Sequence, residues 1–210
     1  MATALILFSA LSLAACGKGG SDSGVAPSAS GPITSGCVSG GPGTSASPYV
    51  ICAAADLAAL AGRVNAGTEP GGRFYLLAND IDLSAYRTGA DWTPIGNDTN
   101  RFQGYFDGNG KTVSRLSIDN SAISYAGLFG VIDGGGEIKN LGIYGASIIT
   151  SGDHVGGVAG YVGSGSIINC HVTDSTVIGE REVGSIAGTI EDGVLTDCRV
   201  TGGAVESLTR

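Results

Sequence analysis

Ile138-Lys139-Asn140-Leu141-Gly142-Ile143-Tyr144-Gly145-Ala146-Ser147-Ile148 carries apolar side chains at Ile138, Leu141, Ile143 and Ile148, at steps of 3, 2 and 5 residues. The same steps recur at Ile167, Cys170, Val172 and Val177, at Leu195, Cys198, Val200 and Val205, and upstream at Val113, Leu116, Ile118 and Ile123. From set to set the chain advances 25, 29 and 28 residues. Self-similarity at such a period is the signature of a solenoid, in which each repeat is one turn stacked on its neighbour. A step of 2 keeps two side chains on one face of a strand. A step of 3 breaks that period and marks a bend with both flanking residues still facing inward.

A glycine-containing strand precedes each set: Gly104-Tyr105-Phe106-Asp107, Gly127-Leu128-Phe129-Gly130, Gly157-Val158-Ala159-Gly160 and Ser185-Ile186-Ala187-Gly188. A third short strand follows around Ile123, Ile148, Val177 or Val205. Three strands and three corners per coil predict an all-β fold, a right-handed parallel β-helix, with repeats over about 104–126, 127–156, 157–184 and 185–210. Upstream, Ala53 to Ala66 is rich in alanine and leucine, which are strong helix formers. Leu57, Leu60 and Val64 form one helical face. A solenoid must cover its open end, so this segment is expected to be a short N-terminal capping helix. Phe74 to Leu83 reads as an early coil through Ala78, Ile81 and Leu83, followed by an insertion holding Tyr86, Trp92, Pro94 and Ile95.

The chain has 210 residues, 37 of them glycine, and a net charge of −8 from 19 acids and 11 bases. No basic cluster exists, which excludes a phosphate-binding surface of the kind nucleic acid requires. At the N-terminus, residues 1–15 read as a signal peptide, because the apolar run Ala4 to Leu13 falls short of the about 20 residues that span a bilayer. Leu13-Ala14-Ala15-Cys16 resembles the lipobox of bacterial lipoproteins. That resemblance implies cleavage before Cys16, lipid on its thiol, and export to the outer membrane or cell surface. Residues 16–42 then form a flexible Gly/Ser/Pro tether, and residues 43–210 the β-helix domain. Four further cysteines allow three pairings. Cys37 and Cys52 flank a loop that a disulfide would hold, whereas Cys170 and Cys198 occupy equivalent repeat positions and read as small core hydrophobes, a bridge between them remaining open.

Catalytic chemistry is hard to assemble from these residues. Asp107-Gly108-Asn109-Gly110-Lys111-Thr112 ends like a phosphate loop, but Tyr105 stands where the first glycine is needed. His154 and His171 lack zinc-site spacing, and no acid spacing around Asp80, Asp82 or Asp98 matches a calcium loop. No metal, cofactor or catalytic residue is therefore expected, and the chain is expected not to be an enzyme. Carboxylates on the outward columns, such as Asp80, Asp82 and Asp197, do not cluster as a glycosidase pair would. Tyr86, Trp92, Phe102 and Tyr105 form a candidate binding surface, since exposed aromatics stack on sugars or grip proteins; the other reading is that such rings fill the wide first coils or anchor the insertion.

Gly127-Leu128-Phe129-Gly130, Gly157-Val158-Ala159-Gly160 and Ile138-Lys139-Asn140-Leu141-Gly142-Ile143 resemble the GLUG motif, a repeat of bacterial surface and secreted proteins. Pro48-Tyr49-Val50-Ile51, Ala78-Asn79-Asp80-Ile81-Asp82-Leu83, Trp92-Thr93-Pro94-Ile95-Gly96 and Phe106-Asp107-Gly108-Asn109-Gly110 are similar to what precedes such repeats. The GLUG resemblance implies a non-catalytic surface protein engaged in adhesion, and together with the lipobox at Cys16 the expectation is a lipid-anchored one, with a glycan or a host or cell-surface protein as partner. Two alternatives stay open: a small carbohydrate-active β-helix enzyme, and a spacer domain of a larger surface protein, since no C-terminal cap is legible after Val205.

Overall fold

Residues 37–87, 91–119 and 123–208 are described by the computed structural model. The segment expected to be a signal peptide, Cys16 and the expected tether as far as residue 36 lie outside the described residues. The ladders between strands are parallel, each strand lying on its equivalent in the preceding coil, and among the described residues the antiparallel contact is a single bridge from Gly40 to Val50. One face stacks six strands: Tyr49–Ile51, Phe74–Leu77, Tyr105–Asp107, Glu137–Lys139, Ser166–Ile168 and Val194–Thr196. The second stacks Ile81–Asp82, Thr112–Ser114, Gly142–Tyr144, His171–Thr173 and Arg199–Thr201. The third stacks Ser117–Asp119, Ser147–Ile149, Thr176–Gly179 and Ala204–Ser207. The return side carries Phe129–Ile132, Ala159–Val162 and Ala187–Ile190, preceded by the two-residue strands Val155–Gly156 and Val183–Gly184.

The stacking aligns the core side chains of successive coils into ladders. Phe106, Ile138, Ile167 and Leu195 are in register on the first face. Val113, Ile143, Val172 and Val200 are in register on the second. Ile118, Ile148, Val177 and Val205 are in register on the third. The three later sets read from the sequence are therefore aligned as expected, but the first is displaced. Val113 and Ile118 pair with Ile143 and Ile148, and Phe106 rather than Val113 lies on Ile138. The cause is the wider turn at Asp107–Lys111, where one left-handed residue, Asn140, Asn169 or Asp197, suffices in the later coils. The third-face strand of that coil is consequently Ser117–Asp119 rather than one around Ile123.

The step of 3 is also sharper than a bend. Ile138 and Leu141 flank Asn140, Ile167 and Cys170 flank Asn169, and Leu195 and Cys198 flank Asp197, each with positive φ (53°, 50° and 54°). One left-handed residue turns the chain from the first sheet into the second, so what reads as one bent strand is two strands in two sheets. Asparagine and aspartate tolerate this conformation because their short polar side chains bond locally. Here they bond along the stack: Asn169 Nδ2 donates to Asn140 Oδ1 at 2.8 Å, and Asn140 Nδ2 to Asp107 Oδ1 at 3.0 Å. Arg115, Gly145, Asp174 and Gly202 make the next corner in the same way, with φ of 57°, 61°, 49° and 65°.

The helix α1, Ala54–Asn65, closes the N-terminal end with Leu57, Leu60, Ala61 and Val64 buried against the core. Asp56 accepts the backbone N–H groups of Cys52 and Ala53, both at 3.0 Å, which satisfies donors at the helix start. At the other end Asn65 Nδ2 donates to the Pro94 carbonyl at 2.9 Å and its Oδ1 accepts from Gly96 N at 2.9 Å, tying the helix to the insertion. Cys37 and Cys52 are joined by a disulfide. Cys170 and Cys198 are free thiols following Leu141 in the core ladder, and burial pushes the Cys170 thiol up to about 12.

Candidate binding surface

The four aromatic residues expected to form a surface do not come together as one. Trp92 and Phe102 are 2% and 1% exposed and belong to the core, which corrects their reading as surface residues. The Trp92 indole N–H donates to the Leu128 carbonyl at 3.0 Å. Phe102 fills the wide early coils between Tyr75 and Phe129, at centroid distances of 5.9 and 5.0 Å. Tyr86 is half-buried, edge-on against Trp92. Tyr105 is half-exposed on the outside of the first face, stacked on Phe74 at 4.5 Å.

A different aromatic group lies on the repeats themselves. Tyr125, His154 and Glu182 occupy one corner in successive coils, with φ of 58°, 58° and 50°. The rings of Tyr125 and His154 stack face to face at 4.9 Å, with 3° between their planes. Tyr161 stands edge-on to both, at 6.1 and 5.6 Å. All three rings are half-exposed. The polar rim follows from the same stacking. His154 Nδ1 lies 2.8 Å from Thr189 Oγ1 and 3.9 Å from Glu182 Oε2. The Tyr161 hydroxyl donates to Glu191, and that bond, with burial second, pushes its acidity constant up to about 12. Asp153 pairs with Arg181 at 2.6 Å. Beside the patch, the Ser164 hydroxyl and amide, with Gly134 N–H and Arg101, hold the Asp133 carboxyl well below the usual carboxylate range.

Gly130, Gly160 and Gly188, the last glycines of the three later Gly-containing strands, form the floor of this corner, whereas Gly104 lies against Arg73, Tyr75 and Phe102 instead. A Cβ on Gly160 would lie 2.5 Å from the Tyr125 carbonyl carbon and 2.6 Å from His154 O, and one on Gly188 would lie 2.6 Å from Glu182 O. No real side chain survives such contacts, so the repeated glycine exists to let the corner cross over it. The corner was legible in principle, because residues 125, 154 and 182 advance by 29 and 28, like the later core sets. Its members share a backbone conformation and no side-chain type, so a search for recurring chemistry passes over them.

The arrangement offers ring faces and edges for stacking, flanked by hydroxyl and carboxylate groups. A proton relay needs a hydroxyl and a carboxylate on opposite nitrogens of an imidazole; Thr189 and Glu182 both face Nδ1. Among the described residues no group of three or more His, Cys, Asp or Glu is placed to hold a metal ion, and no helix is long and apolar enough to cross a membrane.

Residues 151–178 match the GLUG motif, a segment running from the His154 corner to the third-face strand of the same coil. A protein of Evansella cellulosilytica assigned as a Gly-rich membrane protein is 38% identical over 115 residues, covering 54% of this chain and 13% of the relative. Halomucin of Haloquadratum walsbyi is 40% identical over 147 residues, covering 66% of this chain and 2% of the relative. The chain thus spans a small fraction of the length of these curated relatives, neither of which is named as an enzyme. A crystal structure of a Bacteroides ovatus protein assigned as an immunoglobulin A1 protease superposes with a TM-score of 0.54 at 21% identity, covering 80% of this chain and 60% of that one. At that identity the likeness is one of fold alone, a β-solenoid.

Proposed function

We propose that this chain is a non-catalytic binding protein of the bacterial cell surface, exported by residues 1–15, anchored through lipid on Cys16, and engaging its partner through the repeat corner of Tyr125 and His154 with the adjoining Tyr161. The observation that carries this reading is the half-exposed, face-to-face pair of Tyr125 and His154 with Tyr161 edge-on, built on the glycine of the GLUG repeat. Preformed ring faces with a hydrogen-bonding rim bind sugars and protein loops at low entropic cost, because the side chains are already fixed. The membrane assignment of the Evansella relative supports an envelope location. A solenoid on a Gly/Ser/Pro tether suits a domain held clear of a bilayer. In whole-cell fractionation the wild-type chain partitions with membranes and is reached by added protease, while Cys16→Ser is released into the soluble fraction. Unchanged membrane partition of Cys16→Ser overturns the anchor. Depolymerisation of an envelope or host polysaccharide by the purified chain overturns the non-catalytic reading.

A further inference from the structure

A second site of different chemistry lies at the capped end of the stack. The Gly41–Gly43 segment, the end of α1 and the strand Phe74–Leu77 enclose an open cleft of about 450 Å³, within the usual range for small-molecule sites. Its walls are fixed. The Cys37–Cys52 disulfide and the antiparallel bridge between Gly40 and Val50 hold the glycine segment, and Phe74 N donates to Gly43 O at 3.0 Å.

Two guanidinium groups and one carboxylate line this cleft. Glu69 has one donor on each oxygen, Arg63 Nε on Oε2 at 2.5 Å and the Tyr75 hydroxyl on Oε1 at 2.6 Å, which leaves each oxygen a second acceptor site. Arg63 also lies over the Tyr49 ring, at 5.1 Å. Arg73 Nη1 donates to the Pro42 carbonyl, and no carboxylate lies within ion-pair distance of it among the described residues. The cleft therefore carries one uncompensated positive charge on a chain whose net charge is −8. A single guanidinium with donors to spare matches a planar monoanion, to which it can bond through two parallel N–H groups. A dianionic phosphate would exceed the one free charge and would be set against Glu69. The rest of the lining is the Tyr49 and Tyr75 rings, Pro42, the Glu69 carboxylate and the Gly41 and Gly43 backbone; ring faces beside polar groups suit the stacking of a hydroxyl-bearing ring, and the absence of a long aliphatic side chain disfavours a fatty acid.

We infer that the cap cleft binds a uronic acid residue of an acidic polysaccharide, with the sugar carboxylate on Arg73 and the ring hydroxyls toward Glu69 and the Gly41–Gly43 backbone. The site is separate from the repeat corner and does not depend on it.

Titration of the full chain with trigalacturonate, with its methyl ester and with triglutamate, followed by calorimetry and by the Tyr49 and Tyr75 resonances, tests the assignment. The acid sugar is expected to bind and to shift both tyrosines, and the ester to bind at least tenfold more weakly. Arg73→Gln is expected to abolish the preference for acid over ester, and Arg73→Lys to retain part of it. Tyr161→Ala is expected to leave trigalacturonate binding unchanged, which separates this site from the corner. Equal affinity for acid and ester, no shift at Tyr49 and Tyr75, or triglutamate binding as tightly as the sugar overturns it. Should Arg73→Gln fail to fold, the acid-to-ester ratio and the tyrosine shifts on the wild-type chain still decide.

Discussion

Gly160 shows how narrowly single residues are constrained. The chain crosses its Cα so closely that a methyl group would meet the backbone of Tyr125 and His154 at 2.5 and 2.6 Å. Neither obstacle is a flexible side-chain end, so Gly160→Ala must push two coils apart. A cost of about 2–3 kcal/mol is expected, as for overpacking a tight interior, read as a drop in the urea midpoint. Gly145 makes the comparison: its φ is 61° but a Cβ there meets nothing within 4 Å. Gly145→Ala is expected to cost only about 1 kcal/mol, from left-handed strain alone. Equal losses at the two sites would contradict this account of the repeat glycine. At this scale the sequence announces the glycines plainly. It hides the reason for them, because Tyr125, His154 and Glu182 share a conformation and not a chemistry.

Elements differ in how much of themselves they declare. Helix α1 is legible because Leu57, Leu60 and Val64 lie at helical spacing in an alanine-rich run, and the structure places it over 54–65 with those residues buried. The later coils are legible because Ile138, Ile167 and Leu195 stand in register. The first coil is not, since the turn after Phe106 is longer and shifts Val113 by one ladder. Trp92 and Phe102 mislead for a related reason. Aromatics in a strand-rich segment read equally well as surface platforms or as fillers, and only the width of the early coils decides for burial. The cap cleft could not be read from the sequence, because Gly41–Gly43, Arg63, Glu69 and Arg73 meet only after the helix folds back over the first coil.

For the whole molecule, stability in a solenoid is the sum of each coil and its interfaces with its neighbours. An interior coil has two such interfaces. The last described coil has one, and Leu195, Val200 and Val205 remain 42%, 45% and 45% exposed. Ile167, fully buried in the same ladder as Leu195, is expected to cost about 2–5 kcal/mol when truncated to alanine. Leu195→Ala is expected to cost about 1 kcal/mol or less, because much of its surface is already in water. Equilibrium unfolding of the two variants checks the gradient along the stack, and equal losses would contradict it. Such a scaffold presents its corners as a fixed column, and the function proposed for this chain rests on the column holding Tyr125 and His154, with Tyr161 edge-on beside it. The direct test is the binding of the full chain to an array of glycans lacking carboxylates and to cell-surface proteins, compared with Tyr125→Ala/Tyr161→Ala and with Tyr105→Ala. The account predicts that the double variant loses at least tenfold in affinity for whatever the wild type binds while keeping its melting temperature, and that Tyr105→Ala binds normally. Undiminished binding by the double variant, or no binding by the wild type to any member of either set, would contradict it.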